Sequence, residues 1–508
     1  MLDRFLLSLV VTAAMQCSVA PAHADIAQYA SRELLQQRFS ILADHTKKGE
    51  WSSVAADAAS LMRTLGLPFD HTPTAKIAQT PFPRNDTAVM ELVDVRLLLT
   101  QLAVQAGAKD HHALRMAQGA RDHKVILIRG GHISLSDLFF RTRDTAVAPF
   151  IVMTAQGIVA KRPIAIWSDA GLTVQADDTL LLDGAEGSFL ANFGWLDVDG
   201  GTIRGNRVTN AAVPAFRPFV MTAGLGGLTV RGATFESLGF GDSPVFGGLS
   251  VVNAGLSRSR MASAIRDSAF RDVASVVLLG THDSVIMGNR LERSSAVAIH
   301  VSGAVGALVG RNMVIAANGL QAIRVTAASR DVSIRDNVLA GGARMGILVD
   351  RDSAFIDVSA NIVFGHSATG ITVADGDCLI AKGNLVMRNG GVGITVAKAE
   401  AARIAGNGVI MNDGSGILMR DQSSTAIVDV NGNVLVANSD GFRGATAGRI
   451  MLRGNDLDGQ LHQIFAGDLA PRTAEFLRHR ASARSDKALT TTPAVSAFPA
   501  RCATAERG

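Results

Sequence analysis

The sequence predicts an all-β fold, a parallel β-helix built as a solenoid of about 23–25-residue coils, with a small helical region at its N-terminal end. An aliphatic residue after a small one recurs at the same period as an asparagine, for example at Ile299 and Ile347. Between these positions β-branched residues alternate with polar ones, as in VSIR (332–335), which is the periodicity of a strand. Successive asparagines are separated by 22 to 26 residues and are Asn289, Asn312, Asn337, Asn361, Asn384, Asn407, Asn433 and Asn455.

The chain begins with the pattern of a secretory signal peptide over residues 1–24. Arg4 precedes an apolar run that ends at Ala14, and a small-x-small cleavage site ends at Ala24. Cleavage there would leave 508 − 24 = 484 residues. No later stretch is long and apolar enough to cross a bilayer, so we expect a protein that does not span a membrane. Arginine outnumbers lysine, which is typical of a GC-rich bacterial genome, and the predicted location is therefore the periplasm.

The remainder divides into three predicted parts. Residues 25–121 form a helical capping region, with helical spacing at 27–65 and again from about Val89 to Ala106. We expect these helices to cover one end of the solenoid, because an open end is an unpaired strand edge. The β-helix itself spans residues 122–460. Residues 461–508 form a short helix and a disordered tail.

Composition limits the partners. The net charge of +4 is small for 508 residues but suits contact with a polyanion. No basic stripe with interleaved aromatic residues is present, so we expect no nucleic-acid partner. No group of residues has a convincing metal-ligand spacing, and the sequence predicts no metal and no cofactor. Cys378 reads as a buried small hydrophobic residue and Cys502 lies in the tail, and we expect them to stay unpaired because the core is large.

Several segments resemble one known family. They are HKVILIRGGHISLSDL (123–138), GSFLANFGWLDVDGGTI (187–203), AFRPFVMTAGLGGLTVRGATFESLGF (215–240) and GILVDRDS (346–353). On these segments the chain resembles the periplasmic mannuronan C5-epimerases of bacterial alginate biosynthesis. The resemblance implies a right-handed β-helix that acts on an anionic polysaccharide, with a periplasmic exopolysaccharide secretion complex as a further partner.

The family's catalytic signature, Asp-Pro-His-Asp, is not retained here. The matching residues are His300-Val301-Ser302-Gly303, so Ser302 stands at the place of the family's histidine, and the family's arginine falls near Ala327. Epimerising a uronate at C5 requires a base, an acid on the opposite ring face and a cation for the developing charge. Residues at the same position in successive coils face one groove, and only one run supplies a histidine, a cation and a carboxylate there. The predicted catalytic residues are His300, Arg324 and Asp350, and the predicted substrate-binding residues are Arg351, His282, Arg217 and Ser302.

Alternatives remain open from the sequence. A solvated histidine, a surface arginine and a turn ion pair would explain the same residues structurally. In function, the leading hypothesis is a polyuronate epimerase, with a polysaccharide lyase as the enzymatic variant, since both begin by removing the C5 proton. The alternative from another class is a non-catalytic β-helix that binds and protects a nascent exopolysaccharide. A surface adhesin or phage-type spike is a third, weaker hypothesis.

Overall fold

The computed structural model describes residues 32–69, 87–107, 114, 123–206, 216–445, 449–481, 489–490 and 498–504. Over these residues the chain forms a right-handed parallel β-solenoid of about 12 turns, with about 24 residues per turn. The predicted fold class is therefore confirmed. The predicted signal peptide at 1–24 lies outside the described residues. None of the helices described is long and apolar enough to cross a membrane.

Strands of successive coils stack in parallel along three faces, which we call the first, second and third faces; the first two belong to one 28-stranded sheet and the third is a 13-stranded sheet. The strands of the first face are Lys124–Arg129, Ile164–Ile166, Leu190–Asn192, Val220–Ala223, Gly248–Val252, Ser275–Leu279, Ile299–Ser302, Gln321–Thr326, Met345–Val349, Ile371–Lys382, Ile394–Ala399, Ile417–Arg420, Asp440–Ala445 and Gln463–Gly467. Ile371–Lys382 continues around the corner into the second face, which also holds His132–Ser134, Gly171–Gln175, Trp195–Asp199, Gly227–Arg231, Ala264–Arg266, Val285–Met287, Leu308–Gly310, Arg330–Arg335, Ser353–Ser359, Ala401–Ala405, Ile427–Asn431, Arg449–Arg453 and Leu489–Thr490. The third face holds Ile151–Thr154, Gly157–Ala160, Thr179–Leu182, Thr202–Gly205, Thr234–Glu236, Ala269–Arg271, Arg290–Glu292, Met313–Ile315, Val338–Ala340, Ile362–Phe364, Leu385–Met387, Gly408–Ile410 and Val434–Val436.

The core lies inside the coils and is built from stacked identical or similar side chains. Ile299 pairs in parallel register with Ile323, which pairs with Ile347, and all three are fully buried. Because side chains alternate across a strand, the residue after each of these points outward. The aliphatic position that recurs in the sequence is therefore the inward position of the first face, and the position after it lines the outer surface.

The recurring asparagines form one column at a corner of the solenoid, as predicted. In each step the Nδ2 of one asparagine donates to the Oδ1 of the next, at 2.8–3.0 Å from Asn289 to Asn455. The same Oδ1 accepts the backbone N–H of the preceding coil's asparagine, as Asn361 does from Asn337. Each amide in this column thus satisfies buried backbone groups at the corner, which explains its recurrence.

A second amide column runs beside the first and was not predicted. Asn389 donates to Asn412, Asn412 to Asn438, and Asn438 to Gln460. One coil earlier His366 occupies the same place, and its backbone N–H donates to Asn389. The signal in the sequence was the repeated asparagine five residues after the first ladder, from Asn384 onward.

Two helices pack along the side of the solenoid. Helix α1 is Arg32–Lys48 and helix α2 is Trp51–Thr64. Their apolar side chains meet third-face residues from Met313 to Ala437. The prediction that these two helices cap the end of the solenoid is therefore wrong. The third face has an apolar outer surface that runs along several coils, and the helices bury their apolar side chains against it.

The N-terminal edge is covered by a strand instead. Val89–Asp94 was expected to be helical but pairs antiparallel with Lys124–Arg129, which supplies partners for the open edge of the first coil. Helix α3, Val95–Ala106, follows it, with the Asp94 side chain capping its first turn and Gly107 ending it at φ 61°. It packs on the outer surface of the first face. Two further helices with described bounds are α4, Leu135–Thr142, and α5, Thr473–Ala481, which matches the short helix expected near the C-terminus.

The cysteines are paired, so the expectation of free thiols is wrong. Cys378 and Cys502 form a disulfide across 124 residues of sequence. Both are fully buried and pack against Ala401 and Phe498. Arg501 also binds Asp377 with two hydrogen bonds of 3.1 Å, so the described part of the tail lies against the second face.

Candidate functional site

The outer surface of the first face changes character at His300. In the preceding coils its outward residues are covered by helix α3 and a phenylalanine cluster that includes Phe193 and Phe219. From His300 onward the outward position is lined by Arg324 and then Leu348 in parallel register. We call this outward strip of the first face, which begins at His300 and Arg324, the groove; the two residues lie on neighbouring strands about 4.8 Å apart.

Arg324 and Asp350 form an ion pair in this groove. The guanidinium Nη2 lies 2.7 Å from Asp350 Oδ2, and the two side chains are 20% and 18% exposed. Asp350 directly follows Val349, which pairs with Val325, so it lies one coil further on and beside the arginine. Three polar atoms of the cluster are buried without a hydrogen-bond partner: His300 Nε2, Arg324 Nε and Asp350 Oδ1. Unpaired buried polar atoms are costly, so this group of three is the candidate place for a ligand that supplies hydrogen-bond partners.

His300 is neutral at physiological pH in this environment. Burial, and after it the Arg324 charge, lower the pKa of His300 from 6.5 to about 4, while Asp350 acts in the opposite direction. A neutral imidazole with an unpartnered nitrogen can accept a proton. An anionic ligand bound at Arg324 would raise the pKa of His300, since it would offset the positive charge that depresses it.

Two hydroxyl groups stand beside this cluster. Ser302 is the next outward residue after His300, and it pairs with Thr326 in the following coil. Thr326 is 4% exposed, and its Oγ1 is buried without a partner. Only Ser302 was predicted to bind substrate, although Thr326 stands at the equivalent position of the next coil, two residues after Arg324. Arg351 is exposed at the corner next to Asp350, and its charge contributes to lowering the pKa of His300.

The other two predicted binding residues lie elsewhere. Arg217 precedes the strand three coils before that of His300, roughly 14 Å along the axis. Its guanidinium donates to the carbonyls of Leu238 and Asp272, which is a contact that holds a corner together. His282 is exposed at the corner between the first and second faces, where it pairs with Val305. The structure thus brings together five of the seven predicted residues, His300, Ser302, Arg324, Asp350 and Arg351.

The solved structures that resemble this chain share its fold. The crystal structure of the periplasmic alginate epimerase AlgG matches with a TM-score of 0.61 and 19% identity, covering 78% of this chain and 99% of that one. A double mutant of AlgG matches with the same TM-score and identity, covering 77% and 100%. The A-module of the mannuronan C-5 epimerase AlgE6 from Azotobacter vinelandii matches over 60% of this chain and 91% of that one, at 14% identity and a TM-score of 0.37. The fold is thus that of the AlgG crystal structures.

A family model also matches part of the chain. Residues 260–455, which are 455 − 259 = 196 of 508, match the family described as periplasmic copper-binding protein (NosD). No protein of curated function matches the chain in sequence. Together these similarities show the fold, a parallel β-helix.

No group of side chains in the described part of the chain fits a copper site. Within the described part of the chain, the one group of three suitable side chains within reach of each other is Asp377, Cys378 and Cys502. Both sulfur atoms of that group are joined in the disulfide, so neither is a thiolate ligand. No step below is therefore assigned to a metal.

Proposed function

We propose that this protein binds a polyuronate chain in the periplasm and exchanges the C5 proton of its sugars, as a mannuronan C5-epimerase-like enzyme of exopolysaccharide biosynthesis. The observation that carries the proposal is the buried, unpartnered Nε2 of His300 beside Arg324 on an outward-facing groove. The fold shared with AlgG supports it, and so does the predicted signal peptide.

In the proposed reaction the sugar carboxylate lies near Arg324 and Arg351. His300 Nε2 removes the C5 proton, and the electron pair of that C–H bond moves into the carboxylate, which becomes an enediolate. The two cations stabilise the added charge, and the unpartnered Oδ1 of Asp350 accepts a hydrogen bond from a sugar hydroxyl. A proton from water then reaches C5 on the opposite ring face, and His300 releases its own proton to solvent.

The test is deuterium incorporation at C5 of polymannuronate in deuterated water. We expect incorporation with the wild type, and its loss with polymer binding retained in His300→Gln. His282→Gln is the matched control, since it removes an exposed histidine outside the groove. Incorporation that survives in His300→Gln would exclude His300 as the base. Appearance of an unsaturated, ultraviolet-absorbing sugar end would assign the protein as a lyase instead.

A second function has its own support. Ser302 stands where the resembled family has its histidine, and the Arg324 charge is already paired with Asp350. Both features suit a β-helix that binds and protects the nascent polymer within a secretion complex without reacting with it. Wild-type protein that retains polymannuronate on a column but incorporates no deuterium would establish this function.

A further inference from the structure

A loop near the groove exposes large apolar side chains on an ordered framework. It connects the first-face strand Gly248–Val252 to the second-face strand Ala264–Arg266, and we call residues 253–263 the corner loop. Leu256 in this loop is 85% exposed, and Met261 is 41% exposed. Leu225, in the turn of the preceding coil, is 58% exposed. Single exposed apolar residues are common, but three of this size around one loop are not explained by the solenoid.

The three side chains belong to one surface. The backbone N–H of Ser259 donates to Gly224 O at 3.1 Å, which joins the corner loop to the turn that carries Leu225. Gly224, Gly226, Ser259 and Met261 also line one small shared cavity. The turn that carries Leu225 therefore lies beside the segment that carries Ser259 and Met261, and Leu256 lies three residues before Ser259.

The loop is held rigidly from inside. Asn253 Oδ1 accepts the Ser259 N–H at 2.8 Å, and its Nδ2 donates to the carbonyls of Ser259 and Gly280. The N–H of Leu256 donates to Val104 O of helix α3 at 3.0 Å. Gly255 packs so closely on Gln105 that a Cβ would not fit. These contacts with helix α3 hold Leu256 in its exposed position. Binding there would therefore need no rearrangement of the loop.

Positive charge accompanies the apolar side chains. Arg258 and Arg260 alternate with half-buried Ser257 and Ser259, and both arginines are exposed. Residues 243–266 contain three arginines and no acidic residue. The outward side of the loop therefore carries Leu256, Arg258 and Arg260 together.

We propose that the corner loop docks the protein on an anionic phospholipid surface. Aliphatic side chains on a rigid protrusion can enter the headgroup boundary, and guanidinium groups beside them bind lipid phosphates. A protein partner would need roughly 800 Å² on each side, more than a loop of this size presents. An acidic polysaccharide would use the arginines but leave Leu256 and Leu225 in water. Docking here would hold the groove that begins at His300 close to the membrane surface.

The test is flotation of the full chain with vesicles of phosphatidylglycerol and phosphatidylcholine, compared with phosphatidylcholine alone. We expect binding only to the anionic vesicles, weakened at high salt. Leu256→Asp and the double variant Arg258→Ala/Arg260→Ala should each bind at least about tenfold more weakly, because each cation near an anionic surface contributes several-fold. None of these residues lies in the groove, so deuterium incorporation should be unchanged.

Matched control variants distinguish binding through the corner loop from nonspecific binding of exposed leucines and arginines to vesicles. Leu320→Asp changes a leucine that is 56% exposed elsewhere, and Arg344→Ala/Arg478→Ala removes two exposed arginines elsewhere. Both should bind vesicles as the wild type does, and unfolding midpoints should confirm that all variants are folded. Equal binding by wild type and loop variants, or no preference for anionic vesicles, would overturn the proposal. A double variant that loses polymannuronate binding and keeps vesicle binding would assign the loop to the polymer instead.

Discussion

Arg324 and Asp350 stand on consecutive coils and share one hydrogen bond of 2.7 Å, while Arg324 Nε and Asp350 Oδ1 remain unpartnered. The Asp350 carboxylate therefore occupies one edge of the Arg324 guanidinium, to which the carboxylate of a uronate would also bind. Removing its charge should tighten polymer binding rather than weaken it.

We expect Asp350→Asn to bind polymannuronate about fivefold more tightly, since the competing ion pair contributes about 1 kcal/mol. Deuterium incorporation should fall, because the asparagine no longer holds the sugar hydroxyl as an anion does. Asp352→Asn, which removes an equal charge from an exposed corner, should change neither quantity. Isothermal titration at fixed ionic strength measures the affinity, and weaker binding by Asp350→Asn would contradict this account.

The pH at which the proton-exchange rate falls on the acidic side should be set by the protonation of His300. Its pKa is lowered to about 4, so the neutral base persists well below pH 6. The value of kcat/KM should be flat from neutral pH downward and fall only near about pH 4, because kcat/KM follows the free enzyme. Arg351→Gln should move the limb upward, since the Arg351 charge lowers this pKa. A limb near pH 6.5 would show that the base is a solvated histidine.

Acid should also destabilise the fold through His366. Burial lowers its pKa from 6.5 to about 4. Above pH 6.5 this histidine is neutral in both states and has no effect, whereas between 6.5 and 4 only the unfolded chain takes up the proton. Stability is therefore lost as the pH falls through that window, on the order of 2–3 kcal/mol.

Replacing His366 with asparagine should remove this loss. His366 occupies the slot that Asn389 fills one coil later, so His366→Asn should extend the second amide column. We expect the variant to lose less stability than the wild type between pH 7.5 and pH 5 in urea unfolding. Identical pH dependence in the two proteins would show that His366 is not the titrating group.

The first amide column should tolerate change at its end but not in its middle. Asn361→Leu removes the acceptor for the N–H and Nδ2 of Asn337, and it removes the hydrogen bond that Asn361 Nδ2 donates to Ile334 O. The expected cost is on the order of 3 kcal/mol, for buried groups without partners. Asn455→Leu, at the half-buried end of the column, should cost less. The comparison uses urea midpoints, and equal losses would mean that the column is not cooperative.

The disulfide should stabilise the folded protein and hold the C-terminal tail in place. Reduction of Cys378–Cys502 should lower the free energy of unfolding by about 5 kcal/mol, as expected for a loop of this length in the unfolded chain. The tail around Phe498 should become sensitive to protease at the same time. A Cys378→Ser/Cys502→Ser variant should not respond to reductant. A tail that stays protected after reduction would show that the Arg501–Asp377 pair holds it alone.

The sequence by itself determined the solenoid. A fixed period of asparagine and aliphatic residues leaves one arrangement in which equivalent residues stack, so the core at Ile299 and the column through Asn361 could be predicted. The order of residues along one coil also placed His300 and Arg324 on one outward face. These features are local and repeat every coil, which is why the sequence carries them.

Only the tertiary structure decided what covers the outside. The side on which helices α1 and α2 pack, the strand at Val89–Asp94 and the Cys378–Cys502 bond each join segments far apart in sequence, and no local pattern specifies such contacts. The same holds within the groove, where burial makes His300 neutral and leaves Thr326 Oγ1 without a partner. Arg217 was predicted to bind substrate but meets the corner carbonyls instead. The distance between coils, which the sequence does not measure, decided which of the predicted residues share one site.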